Sequence, residues 1–160
     1  MKPDFSLNPR LSTRQATADD VDAIGAFLSE MLRDFGLDLD HYGVDSDLLT
    51  FADSYEHGYF GLIEEDGRIK GTFALFPMAD SVAEVRKMYL HQDLRGHGIG
   101  KQLLNYIEEV ARKTGVKRLE LETATSMDSA RALYEKSGFR EIAKTHDRIR
   151  CQHRYFKSLE

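Results

Sequence analysis

Residues 83–102, AEVRKMYLHQDLRGHGIGKQ, decide how the chain is read. Val85, Met88, Tyr89 and Leu90 are apolar or aromatic and suit a strand. Ile99, Leu103, Leu104, Ile107, Val110 and Ala111 fall on one face at the helical period and predict a helix. Between them lies Arg95-Gly96-His97-Gly98-Ile99-Gly100. Glycines in such a turn admit positive φ and let a ligand approach without meeting a Cβ. The helix that follows opens with unpaired N–H groups and the positive end of its dipole, which suits a phosphate. Arg95 and Lys101 flank the turn and can add charge-assisted hydrogen bonds.

Spacing separates the possible phosphate motifs. A P-loop would place a glycine at position 95 and a hydroxyl residue at 102, where the chain has Arg95 and Gln102. A dinucleotide fingerprint needs G-x-G-x-x-G directly after a strand; here the glycines run G-x-G-x-G and His91 to Arg95 intervene. Glu120 does lie about 20 positions on, so the oxidoreductase reading is a near miss.

The E-V-R-K-M-Y-L strand followed by R-G-H-G-I-G resembles the acetyl-CoA-binding motif of the GNAT N-acetyltransferase superfamily, whose Gln/Arg-x-x-Gly-x-Gly/Ala pattern is matched by Arg95, Gly98 and Gly100. ARALYEKSGF at 130–139 resembles the family's closing helix. The likeness covers about Gly71 to Phe139, and its two motifs stand in the family's order. It implies an acetyl-CoA-dependent N-acetyltransferase acting directly on a primary amine of a small molecule or peptide. The pantetheine arm would lie along Met88, Tyr89 and Leu90, and the diphosphate on the amides of Arg95, Gly96, His97, Gly98, Ile99, Gly100 and Lys101. The resemblance also assigns Tyr134 as the acid that protonates the departing thiolate and Glu84 as the amine's base. Glu84 could equally face solvent or pair with Arg86 or Lys87. Where the family often has an asparagine seven residues before the tyrosine, this chain has Met127; Thr123, Ser126 or Ser129 could supply the polar contact instead.

Composition limits the alternatives. One domain spanning 1–160 is expected, with residues 1–10 a loose lead-in. A formal net charge of −5 argues against nonspecific nucleic-acid binding. No apolar run suggests a signal peptide or membrane span, and a single cysteine, Cys151, fits a reducing cytoplasm. No cysteine–histidine spacing suggests zinc and the six histidines look scattered, so no metal is expected. A homodimer is possible by family likeness. A catalytically silent acyl-CoA-binding module is the alternative to an enzyme, and Tyr134 argues against it.

The remaining chain predicts an α/β mixed sheet in the order β-α-α-β-β-β-α-β-α-β-β, with helices on both faces. The strands are read over 11–16, 59–64, 68–76, 83–90, 116–123, 139–143 and 149–156. Thr17 is expected to cap the first helix, and Asp45 or Ser46 a second over Asp47–Tyr55. Ser126 or Asp128 is expected to cap the closing helix. Asp34, Asp38, Asp40, Asp45 and Asp47 form an acidic loop that either steers a cationic amine or is simply solvated.

Overall fold

Local signals set the ends of the elements. Thr17 and Asp20 form a reciprocal capping box at the entry to α1 (Val21–Arg33), and Asp20 Oδ2 accepts from the Thr17 N–H at 2.8 Å. Ile24, Phe27, Leu28, Met31 and Leu32 then face inward along the helix. Asp66 and Gly67, with φ of 52° and 75°, turn β2 (Tyr59–Glu65) into β3 (Arg68–Pro77). The computed structural model describes residues 5–147 and 150–160.

Seven strands form one sheet in the order β1-β2-β3-β4-β5-β7-β6. The others are β1 (Leu11–Gln15), β4 (Val82–Leu90), β5 (Arg118–Thr123), β6 (Arg140–Ile142) and β7 (His153–Ser158). Among the described residues only β4 and β5 run parallel, joined through α3 (Ile99–Lys113), as strand–helix–strand continuity requires. The helices α2 (Phe51–Ser54) and α4 (Asp128–Lys136) complete the expected order. The central strands divide their side chains between two cores. Phe60, Leu62 and Ala74 meet α1 and α2, whereas Ile63, Phe73, Val85, Leu119 and Leu121 meet α3. Each large apolar side chain so enclosed contributes about 1.5–3 kcal/mol relative to exposure.

Three local expectations are corrected. The second helix is broken: a 3₁₀ turn at Ser46–Leu48 is separated from Phe51–Ser54 by Leu49 and by Thr50, the latter at φ −118° and ψ 39°. The break keeps Asp47, Leu48, Phe51 and Tyr55 all buried. The closing helix is capped by neither Ser126 nor Asp128; Met127 occupies the N-cap position, and Asp128 instead pairs with Arg131 at 2.6 Å. The last strand begins at His153, and Ile149, where it was expected to start, lies outside the described residues.

Candidate active site

The site opens where two paired strands part. β4 and β5 are in parallel register from Val82↔Arg118 to Val85↔Leu121, and the pairing ends there. Side-chain parity shows why. Ala83 and Val85 join the α3 core, and so do Met88 and Leu90, while Tyr89 lies on the other face. Lys87 is therefore one residue too many, and the β3–β4 register shifts between Thr72 and Ala74. Lys87 takes φ +53°, a conformation that costs a non-glycine residue about 1–3 kcal/mol. Its carbonyl is held by Thr72 Oγ1 at 2.5 Å. A cleft of about 690 Å³ fills the gap, with Glu84 to Leu90 along one side and Glu122 and Thr123 on the other.

Beyond the bulge the backbone of β4 turns toward this cleft. The His91 N–H donates to the Lys70 carbonyl at 2.8 Å, and Leu90 stands opposite Gly71. This makes Leu90 a non-hydrogen-bonded pair with β3, so its own N–H and C=O face the cleft. Arg95 Nε donates to that carbonyl at 2.8 Å, which leaves the N–H side of Leu90 for a ligand.

The glycine turn closes one end. Gly98 is the N-cap of α3 at φ +81°, where a β-substituted residue would be strained. A Cβ on Gly100 would sit 3.2 Å from Leu133 Cδ2, so the opening of α3 and α4 approach closely there. Gly96, Gly98, Gly100 and Lys101 line the cleft. The cradle fits a diphosphate with a pantetheine arm: it has bare backbone at the helix opening and an unpaired strand edge leading from it. Among the expected contacts, Met88, Tyr89, Leu90, Thr123 and Ser129 also line the cleft. His97 is exposed and Ile99 is buried in the core, so only their main chains belong to the turn. Thr123, expected as a polar contact, is turned toward Met127, with Oγ1 3.4 Å from the thioether sulfur.

Arg95 is less free than its position suggested. Besides Leu90, it reaches Asp34 Oδ2 at 3.3 Å and lies over the Phe35 ring, 5.1 Å from the centroid. Its structural work is to join the glycine turn to the end of α1.

Two acid–base groups expected from sequence end up in different circumstances. Tyr134 is 6% exposed and lines the cleft, with its hydroxyl 3.9 Å from Met88 Sδ. Burial, with a smaller contribution from Tyr89, pushes its phenol above the ordinary value and keeps it protonated. Glu84 also lines the cleft, but its Oε1 is held 2.5 Å from Arg86 Nε, whose guanidinium stacks 3.7 Å over Phe76. A second carboxylate escaped the sequence reading. Glu122, at the end of β5, lines the cleft and its Oε1 lies 2.9 Å from His146 Nε2. The Cys151 sulfur is close by, with donor atoms of all three residues within 4.8 Å of one another. One of the histidines that looked scattered, His146, is thus brought by the fold to a carboxylate 24 residues away, a pairing that no local motif announces.

The acidic loop divides. Asp38 and Asp40 are exposed and outside the cleft lining. Asp45 and Asp47 are buried, which corrects the view of a uniformly solvated loop and of five acids free to attract a cation. Lys87 Nζ lies 2.6 Å from Asp45 Oδ1 and 3.2 Å from Asp47 Oδ1, and Arg150 also holds Asp45. Tyr55 donates its hydroxyl proton to Asp47. Burial alone would raise the Asp45 pKa, but the hydrogen bonds and charges of Arg150 and Lys87 outweigh it and the net shift is downward. Removing one partner of such a buried cluster costs about 3–5 kcal/mol, because it strands a charge.

A family model described as Acetyltransferase (GNAT) family matches residues 25–139. An uncharacterized N-acetyltransferase of Escherichia coli, YjgM, is 34% identical over 137 residues, or 81% of each chain. An aminoalkylphosphonate N-acetyltransferase of Salmonella typhimurium is 27% identical over 83% of this chain and 87% of its own. Among solved structures, an acetyltransferase of GNAT family from Staphylococcus aureus Mu50 has a TM-score of 0.84 at 21% identity. That alignment covers 94% of this chain and 99% of the other, and is a likeness of fold.

Proposed function

The chain belongs to the acetyltransferase (GNAT) family and is an acetyl-CoA-dependent N-acetyltransferase, and we propose that it passes the acetyl group directly to a primary amine of a small molecule or peptide. The observation that supports direct transfer is the parting of β4 and β5 over the glycine turn, which leaves one continuous cleft for donor and acceptor together. Holding both reactants in one cleft supplies much of the rate through orientation. The aminoalkylphosphonate acetyltransferase among the relatives is named for a compact amine, which favours acceptors of that class.

Acetyl-CoA brings an activated thioester, and the chain's own residues do the rest. The amides of Gly96 to Lys101 hold the diphosphate, aided by the helix dipole. The Leu90 N–H stabilises negative charge that develops on the acetyl oxygen. An ammonium with a lysine-like pKa of about 10.4 must first lose a proton. Glu122 accepts it and His146, which is partly exposed, relays it toward solvent. Glu84 is the weaker candidate, because Arg86 already occupies its carboxylate. As the N–C bond forms and the C–S bond breaks, Tyr134 gives its proton to the thiolate, and the second proton shed by the acylated nitrogen restores the phenol. A binding module without turnover would have no use for a protonated phenol in the cleft.

The test is a panel of amines offered with acetyl-CoA, following thiol release and the mass of each product. The reading requires a product heavier by one acetyl group, formed in step with the thiol. Thiol release at the same rate with and without amine would refute it.

A further inference from the structure

Two distant segments bound the acceptor end of the cleft, and they are tied to each other. Val44, Ser46 and Asp47 line it from the connection between α1 and α2, and Arg150 and Cys151 from the connection between β6 and β7. Between the segments sits the Asp45 carboxylate, which has no solvent exposure. Arg150 forks onto it, with Nη2 3.1 Å from Oδ1 and Nη1 on Oδ2, and Nη1 also donates to the Asp38 carbonyl at 3.2 Å. Lys87 rises from the β4 bulge to the same carboxylate and donates to the Val44 carbonyl at 3.1 Å. The Asp40 N–H completes the set at 2.8 Å from Asp45 Oδ2.

Surface ion pairs position little, but this one is desolvated and joins three parts of the fold. It pins the loop both to the β4 bulge and to the connection between β6 and β7. A peptide needs a trough from which its chain can leave on either side of the reacting amine; two lining segments tied to each other at that end remove an exit. The pantetheine arm must share the same space of about 690 Å³, which is within the range of small-molecule pockets. We propose that the Lys87–Asp45–Arg150 tie sets acceptor size, admitting a compact free amine and excluding amines carried on a peptide chain. This rests on the transferase reading above.

The test compares kcat/KM for short aminoalkyl acceptors with that for peptides bearing a lysine or a free N-terminus, in wild type, Arg150→Ala and Arg150→Lys. Wild type should favour compact amines by about 100-fold or more. Arg150→Ala should narrow that ratio by about tenfold, chiefly through a lower peptide KM, while the acetyl-CoA-induced rise in Tm is kept. Arg150→Lys retains the charge without the fork and should fall between. Hydrogen exchange over residues 38–47 should quicken in Arg150→Ala, a readout independent of turnover. Peptides accepted as well as compact amines by wild type would overturn the proposal alone, as would a variant that slows both classes in equal proportion. No turnover with any amine, despite acetyl-CoA binding, would overturn the catalytic reading and the proposal together.

Discussion

The two halves of the cleft are built on opposite principles. At the proposed donor end the working groups are main-chain: the glycine turn, the opening of α3 and the freed edge of β4. At the proposed acceptor end they are side-chain: Lys87, Asp45, Asp47 and Arg150 in a buried ionic cluster, with Glu84–Arg86 and Glu122–His146 as further ion pairs. Main-chain recognition suits a ligand that never changes, because its geometry depends on a local turn and tolerates most side chains. Side-chain clusters are where one member of a fold can differ from the next. Lys87 belongs to both halves: its backbone makes the bulge that parts the strands, and its ammonium anchors the connection between α1 and α2 through Asp45.

The sharpest way to break the contrast is to fill the donor cradle. Gly100→Leu places a side chain where even a Cβ is 3.2 Å from Leu133, and acetyl-CoA affinity should fall by about 100-fold or more, roughly 3 kcal/mol. Calorimetric titration with circular dichroism as a control for folding checks this; affinity within threefold of wild type would show that the diphosphate lies elsewhere.

The same contrast explains what the sequence made visible. Arg95 to Lys101 is a local motif whose glycines and following helix are read within a few residues, and the hairpin at Asp66-Gly67 is equally local. The alternating and helical apolar patterns were enough for the order of elements and for the two cores. The bulge at Lys87 was not visible at that position, because positive φ on a lysine leaves no trace in composition. Asp45 and Asp47 look like any loop acids until Lys87 and Arg150, 42 and 105 positions away, are brought to Asp45. Glu122 and His146 meet only through tertiary contact between the end of β5 and the β6–β7 connection. The Glu84–Arg86 pairing was one of the alternatives that strand alternation left open, and the structure realises it.

A loss of similar size, in rate rather than in affinity, is expected where a side chain enters the donor half. Tyr134→Phe should lower kcat by about 10²-fold or more with little change in the KM for acetyl-CoA. Because burial raises the Tyr134 pKa above the phenolic value of about 10, its neutral, donating form persists as pH rises. No fall in kcat assignable to this group should therefore occur below about pH 10. A basic limb near pH 8 that disappears in Tyr134→Phe would contradict the assignment.

The smallest effect compares the two carboxylates. Glu122→Gln should reduce kcat/KM by about tenfold more than Glu84→Gln. Equal losses would mean that water, or both carboxylates, receive the proton, and a larger loss in Glu84→Gln would restore the assignment made from family resemblance.

The most direct measurement is a crystal structure of the protein with CoA bound. The diphosphate is predicted to lie on the amides between Gly96 and Lys101, with the pantetheine arm running along Met88 to Leu90 beside β5. A diphosphate held by side chains away from the opening of α3, or an arm outside the gap between the two parallel strands, would contradict the account.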